Sequence, residues 1–183
     1  MCIRAIDCAA GVGRVTSGLL MHHFAIVDVL EPLPHFIAEA KRRLSSKSHK
    51  GDFFEMGLQV NRSIRLISAA VSPSAQDFRP PLCTYDVVWI QWAIGHVTDD
   101  DMVLLLARLK ACLKPKGVIV LKENVLTGSG GSSTLIDLEG CSMRRSNSHF
   151  KSLFVRGGCV VVREEMQKQL PSDLCRVKMW ALQ

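Results

Sequence analysis

Apolar residues fall in short runs along this chain, and two periods alternate among them. Residues 2–8 (Cys-Ile-Arg-Ala-Ile-Asp-Cys), 25–30 (Ala-Ile-Val-Asp-Val-Leu), 64–71, 85–92 (Tyr-Asp-Val-Val-Trp-Ile-Gln-Trp) and 118–121 (Val-Ile-Val-Leu) read as buried strands. Between them, helical spacing appears. A helix is expected over 14–23, and another over 34–44, where Phe36, Ile37, Ala40 and Leu44 repeat and Pro34 sits in the first turn. Thr98 with Asp101 three residues on forms an aspartate version of a capping box. Met102, Leu105, Leu106, Leu109 and Leu113 line one face of the helix that follows, and Lys114-Pro-Lys-Gly117 is expected to stop it. Residues 45–61 show no period and read as a surface insertion. Residues 125–146, Gly/Ser-rich near their start, read as a loop, with a helix expected over 147–156. Residues 159–165 and 175–182 alternate enough to form a terminal pair of strands. Strands alternating with helices imply right-handed crossovers and a mainly parallel sheet, here seven-stranded with an antiparallel C-terminal pair.

Composition narrows the class. At 183 residues, 48% hydrophobic and 22% charged, the chain fits one domain over 1–183 with a core of its own. A net charge of +6 mildly favours a polar or acidic partner without requiring nucleic acid. No run approaches the roughly 18 apolar residues of a membrane helix, and the N-terminus lacks a secretory layout, so no membrane partner is expected. Seven cysteines, odd in number and without a C-x-x-C pair, read as scattered core thiols in a reducing compartment rather than as a disulfide frame or metal site.

Chemistry concentrates in two places. The first strand–helix turn reads Asp7-Cys-Ala-Ala-Gly-Val-Gly-Arg14, and the second strand ends at Glu31, 24 positions after Asp7. Glycines there let backbone come close to a ligand, and an acid at the end of the second strand can accept hydrogen bonds from ribose hydroxyls. The G-x-G-x-x-G of dinucleotide sites is absent. Arg14 opens the helix, where a guanidinium could grip a carboxylate bidentately. Gly11 and Gly13 alone would also serve an ordinary tight turn, and Asp7 reads equally well as a cap on that turn. The second place is Val87-Val-Trp-Ile-Gln-Trp-Ala-Ile-Gly-His96, followed by Leu121-Lys-Glu-Asn124.

Together these segments resemble the protein alpha-N-terminal methyltransferases, class I enzymes that use S-adenosyl-L-methionine (SAM) to methylate the α-amino group exposed after initiator Met removal. The resemblance spans residues 2–182 and is weakest over 45–61 and 127–147. It implies a Rossmann-like α/β methyltransferase fold with SAM as cofactor and N-terminal peptides of the X-Pro-Lys or X-Pro-Arg type as substrates. Action in the cytoplasm, the nucleus or both is implied as well. Residue by residue, Gly11, Gly13 and Arg14 fall in the family's SAM turn and Glu31 on its ribose-binding acid. Gln76 resembles the glutamine beside adenine, and Gln91 the fourth-strand glutamine that contacts SAM. Trp92 matches the tryptophan that packs on the incoming peptide, and His96 with Asn124 the pair that handles the α-amine. Glu123 and, through a looser alignment, Asp137 fall at acidic positions of the peptide channel.

Three departures accompany the resemblance. Ala9 replaces a glycine, Gly140 stands where a second channel acid is usual, and the helical lid that precedes the first strand in the family is expected to be missing. An alternative reading is therefore a methyltransferase-like protein that binds a partner without catalysis. A third, methylation of small molecules or nucleic acid, rests only on fold and charge.

Overall fold

The computed structural model describes residues 3–58, 78, 80–127, 133–171 and 174–183. In chain order its elements are β1 (Arg4–Cys8), α1 (Arg14–Gly18), β2 (Ile26–Leu30), α2 (Pro34–Ser45), β3 (Phe53–Phe54), β4 (Tyr85–Gln91), α3 (Asp99–Ala111), β5 (Leu113–Leu126), β6 (Thr134–Asp137), β7 (Ser142–Ser146), α4 (Asn147–Arg156), β8 (Val161–Met166) and β9 (Arg176–Leu182). Single 3-10 turns occupy Leu20–His22 and Ile94–His96.

Among the described residues one nine-stranded sheet organises them, not the expected seven-stranded one, because the short edge strand β3 and the β6–β7 hairpin also pair into it. Strands β3, β2, β1, β4 and β5 run parallel in that spatial order. The β8–β9 pair closes antiparallel on β5, and β7 joins the far end of β5 in parallel at Val125 and Leu126. This is the Rossmann-like methyltransferase layout with its antiparallel terminal pair. The strands read as apolar runs because helices cover them. Ile6, Val88, Ile90, Ile119 and Leu121 share a buried cluster with Met102, Leu105, Leu106 and Leu109 of α3 and with Phe150, Leu153 and Phe154 of α4. Trp180 closes that cluster, its ring 4.9 Å from Phe150 and its indole N–H donating to Asn147. On the opposite face Val29 packs on Ala40 and Leu44 of α2.

Local signals set several boundaries as expected. The Thr98 hydroxyl accepts from the Asp101 N–H at 3.2 Å, and three aspartates fill the first turn of α3. Other boundaries moved. The helix expected over 14–23 ends at Gly18, whose helical placement is costly, and Leu19 breaks into the 3-10 turn. Leu113 is not on the α3 face: the helix ends at Ala111 and Leu113 opens β5, paired with Tyr85. Lys114–Gly117 therefore lies inside a bulged strand rather than at a helix stop. Backbone crowds there, since a Cβ on Gly117 would come within 2.9 Å of the Tyr85 carbonyl.

The segment taken as an insertion, 45–61, supplies β3, whose two phenylalanines pair with Val29 and Leu30. The strand expected over 64–71 lies outside the described residues. The loop expected over 125–146 contains the extension of β5 and the β6–β7 hairpin. Its outward residues are apolar as well as polar, which hides the alternation that a half-buried strand shows. The cysteines are not all core thiols: Cys8, Cys112 and Cys159 are buried, whereas Cys83, Cys141 and Cys175 are exposed, and all six are free. No helix among the described residues is long and apolar enough to cross a membrane.

Candidate active site

The carboxyl ends of β1, β2 and β4 meet at the glycine turn. Gly11 and Gly13 hold positive φ of 56° and 74°, and Gly13 caps α1 in that left-handed conformation. Ala9 also sits at φ 56°, the conformation in which a glycine would be unstrained. Glu31 is buried at the end of β2, and its two oxygens accept from the Gly11 N–H at 2.8 Å and the Leu33 N–H at 3.0 Å. An ionised carboxylate has about four acceptor sites, so hydroxyl groups can still be received. Asp7, beneath the turn, accepts from the Thr16 hydroxyl at 2.6 Å. Burial raises its pKa to about 6, the Thr16 bond working against that and the Glu31 charge adding to it.

Around these groups lies a cavity of about 340 Å³ lined by Asp7, Ala9, Gly11, Arg14, Phe36, Gln91 and Trp92, among others. Phe36, one of the residues whose helical spacing marks α2, is 38% exposed and lends this cavity an aromatic wall. Its place in the first turn of α2, close after Glu31, was the available signal. The donor set fits an adenosyl amino acid: an acid for ribose, a guanidinium for a carboxylate, an apolar wall for a purine, and open space in front of Gly11, where an added Cβ would meet nothing within 4 Å. A larger cavity, about 700 Å³, opens on the sheet face over Trp89, Val120 and Met179, and shares Arg14, Val15 and Gln91 with the first. In the smaller one the glycine turn, Asp7 and Gln91 converge, with Glu31 directly behind Gly11. Gln76 lies outside the described residues.

Beyond Gln91 the chain turns sharply. Trp92 has φ 53°, a strained value for a bulky residue, and its ring is 43% exposed. Two cations flank that ring, the Arg14 guanidinium 5.6 Å and the Lys122 ammonium 5.5 Å from its centroid. Burial, and secondarily the charge of Arg14, holds the Lys122 pKa below its ordinary value. The 3-10 turn Ile94–His96 follows. Exposed His96 has its Nδ1 3.1 Å from the Cys141 carbonyl, at the turn of the β6–β7 hairpin.

Alternation along β5 puts Lys122 and half-buried Asn124 on one face and buried Glu123 on the other. The Glu123 carboxylate accepts from the backbone N–H groups of Asn124 at 2.8 Å and Gly95 at 3.3 Å, so it faces the His96 turn from below rather than an open channel. Burial raises its pKa, and those N–H groups and the nearby His96 oppose the rise. Through it, the His96 turn and Asn124 are held on neighbouring segments. Asp137 is exposed on the hairpin, where its Oδ1 accepts the Gly140 N–H at 3.0 Å.

The family model for AdoMet-dependent proline di-methyltransferases matches residues 1–183. The chain belongs to that family. It is 34% identical over 179 residues to N-terminal Xaa-Pro-Lys N-methyltransferase 1 of Danio rerio, covering 97% of this chain and 71% of that protein. It is 39% identical over 182 residues to alpha N-terminal protein methyltransferase 1 of Arabidopsis thaliana and 38% identical over 178 residues to that of Oryza sativa subsp. indica. The alignments cover 97% of this chain and 58% and 53% of those plant proteins, so the chain spans little more than half of their length. Among solved structures, a SAM-dependent methyltransferase of Leishmania major superposes with a TM-score of 0.84 at 34% identity, covering 100% of this chain and 65% of that one. The 1,6-didemethyltoxoflavin N1-methyltransferase of Burkholderia thailandensis, with bound 1,6-didemethyltoxoflavin and S-adenosylhomocysteine, shares the fold alone, at a TM-score of 0.71 and 14% identity over 98% of this chain and 69% of that one.

Proposed function

We propose that this chain binds SAM in the cavity bounded by Gly11, Arg14 and Gln91, with Glu31 directly behind Gly11, and transfers its methyl group to the free α-amino group of protein N-termini of the X-Pro-Lys or X-Pro-Arg type. The observation that carries this reading is the continuity of the two places: Gln91 and Trp92 line the adenosyl-amino-acid cavity, and the same segment runs directly into the turn that bears His96. SAM supplies an electrophilic methyl on a sulfonium, and the residues of the chain do the rest.

Displacement at a methyl needs an amine lone pair. A free α-amino group has a pKa of about 8, so the neutral form is accessible near pH 7, and the positive field of Arg14 and Lys122 around Trp92 favours it further. His96 is the residue to receive the departing proton, because its imidazole offers a basic nitrogen lone pair, which the Asn124 amide and the Trp92 indole lack. Asn124 cannot act as a base; its amide oxygen accepts the amine hydrogens and so orients the lone pair. Trp92 supplies a flat apolar wall for the first residues of the peptide, whose proline is rigid and apolar. Asp137, and by proximity Glu139 on the same hairpin, supply negative charge for the cationic third residue. Holding two bound reactants in line contributes the largest share of the acceleration. The relatives' names, which specify alpha N-terminal protein and Xaa-Pro-Lys methyltransferases, support the substrate class. The reading places the protein in the cytoplasm, the nucleus or both, where newly processed N-termini are available.

The test is incubation with isotope-labelled SAM and a short X-Pro-Lys peptide, with fragmentation spectra locating the label. Label on the terminal nitrogen supports the reading. Label confined to side chains, or none while calorimetry shows SAM bound, removes it and leaves a cofactor-binding protein without this activity.

A further inference from the structure

Arg145 carries a fully enclosed charge: its side chain, on β7, has no exposed surface. A guanidinium so buried is costly unless every direction of its fork is met. Here Nε donates to Asp99 Oδ1 at 2.7 Å, Nη1 to the Ile94 carbonyl at 3.0 Å and Nη2 to the Val97 carbonyl at 2.6 Å. The two carbonyls bound the 3-10 turn that carries His96, one at its first residue and one just past its last. Asp99, at the start of α3, is in turn held by the His149 Nε2–H of α4 at 2.7 Å. The Phe150 ring lies 5.8 Å from the guanidinium carbon. From the other side the Glu123 carboxylate accepts the Gly95 N–H.

The geometry points to Arg145 as a positioning residue: it sets the height and tilt of the Ile94–His96 turn against the end of β5, and so the place of the His96 imidazole relative to Asn124. The assignment rests on the methyl-transfer reading above as regards catalysis, and on the hydrogen bonds alone as regards the turn. Arg145 touches no reacting atom. It ties the turn to β7, the strand whose hairpin reaches His96 again through the Cys141 carbonyl, so the two contacts bracket the imidazole from both ends of one element. A lysine in this place would keep the charge but, lacking the planar fork, could not satisfy Asp99 and both carbonyls together.

The experiment compares Arg145→Lys with wild type and with Arg156→Ala, which breaks only an exposed pair to Asp100 between α4 and α3. Asp99→Asn, which keeps both carbonyl contacts but loses the anchoring charge, is the second variant should Arg145→Lys fold poorly. Hydrogen–deuterium exchange of residues 94–97, SAM affinity by calorimetry, and kcat and KM on an X-Pro-Lys peptide are measured on each. The expected result is faster exchange at 94–97, SAM affinity within about twofold of wild type, and kcat lowered roughly 10- to 100-fold with a smaller change in KM. Arg156→Ala should match wild type in exchange and kinetics. Unchanged exchange at 94–97 in a folded variant overturns the assignment, as does wild-type kcat in a variant whose turn has loosened. A wild-type protein that transfers no methyl, together with faster exchange in the variant, upholds the hold on the turn and overturns the methyl-transfer reading instead.

Discussion

The backbone N–H of Gly11 points straight at the carboxylate of Glu31, 2.8 Å away, so the glycine turn after β1 and the acid ending β2 act as one unit. Replacing Glu31 with Ala leaves the N–H groups of Gly11 and Leu33 without their acceptor and deletes the acid proposed to bind ribose at the same time. A charge-assisted hydrogen bond contributes about 1.5–3 kcal/mol. SAM affinity should therefore fall at least tenfold in calorimetry, with Glu31→Asp, one methylene shorter, in between. Affinity unchanged in Glu31→Ala would move the ribose elsewhere.

Ala9 holds a left-handed backbone at φ 56°. That conformation costs a residue with a Cβ about 1–2 kcal/mol, while glycine brings an entropic penalty of roughly 0.5–1 kcal/mol of its own. Ala9→Gly should raise stability by up to about 1 kcal/mol, read as a higher urea midpoint with an unchanged slope. A lower midpoint would show that the Ala9 methyl contributes more by packing than its backbone loses by strain.

Asp7 links the site to pH. Its carboxyl is almost fully buried and its pKa is raised from 3.8 to about 6. A carboxyl with a raised folded pKa binds more protons folded than unfolded between those two values, so it costs stability as pH rises from about 4 to 6. Asp7→Asn removes that dependence and keeps an acceptor for Thr16. The variant should therefore gain on wild type by about 3 kcal/mol across this window, and by nothing below pH 3. Parallel stability curves for the two proteins would contradict the raised value.

Arg14 faces both the Trp92 ring and the cofactor cavity. Arg14→Ala should weaken SAM binding tenfold or more, and Arg14→Lys should recover part of the loss, because a point charge replaces a bidentate fork. Equal affinities for all three proteins would remove the guanidinium from carboxylate recognition.

His96→Gln and Asn124→Ala test the amine-handling pair. Each should lower kcat by roughly 10²- to 10⁴-fold, the range of a positioned acid–base group, with SAM affinity preserved. Loss of SAM binding in either variant would instead assign these residues to the cofactor.

Much of the fold was legible along the chain because its signals are local. The apolar runs of β1, β2 and β4, the Thr98 cap of α3 and the glycines before α1 each act within a few residues, and the order of strands and helices follows from them. The motif residues Gly11, Arg14, Glu31, Gln91 and Trp92 could be placed at one end of the sheet on that basis alone. Other features depend on partners distant in sequence. Leu113 has the spacing of a helical residue, yet pairing with Tyr85 draws it into β5. Phe53 and Phe54 form a strand only because Val29 and Leu30 offer an edge.

What sequence by itself determined is therefore the alternating α/β order, from which the parallel sheet follows, and the glycine turn, since periodicity and backbone sterics encode these in neighbouring residues, with the acid placed by the end of the next strand. Tertiary structure alone decided that Glu123 faces the backbone of the His96 turn, that Trp92 stands between Arg14 and Lys122 with a strained φ, and that Arg145 lies wholly buried. Each of those is a charge or ring meeting a group up to 78 positions away. Nothing in a one-dimensional pattern marks which arginine will find Asp99 and two carbonyls, because that depends on desolvation and geometry that exist only once β5, β7 and α3 have packed.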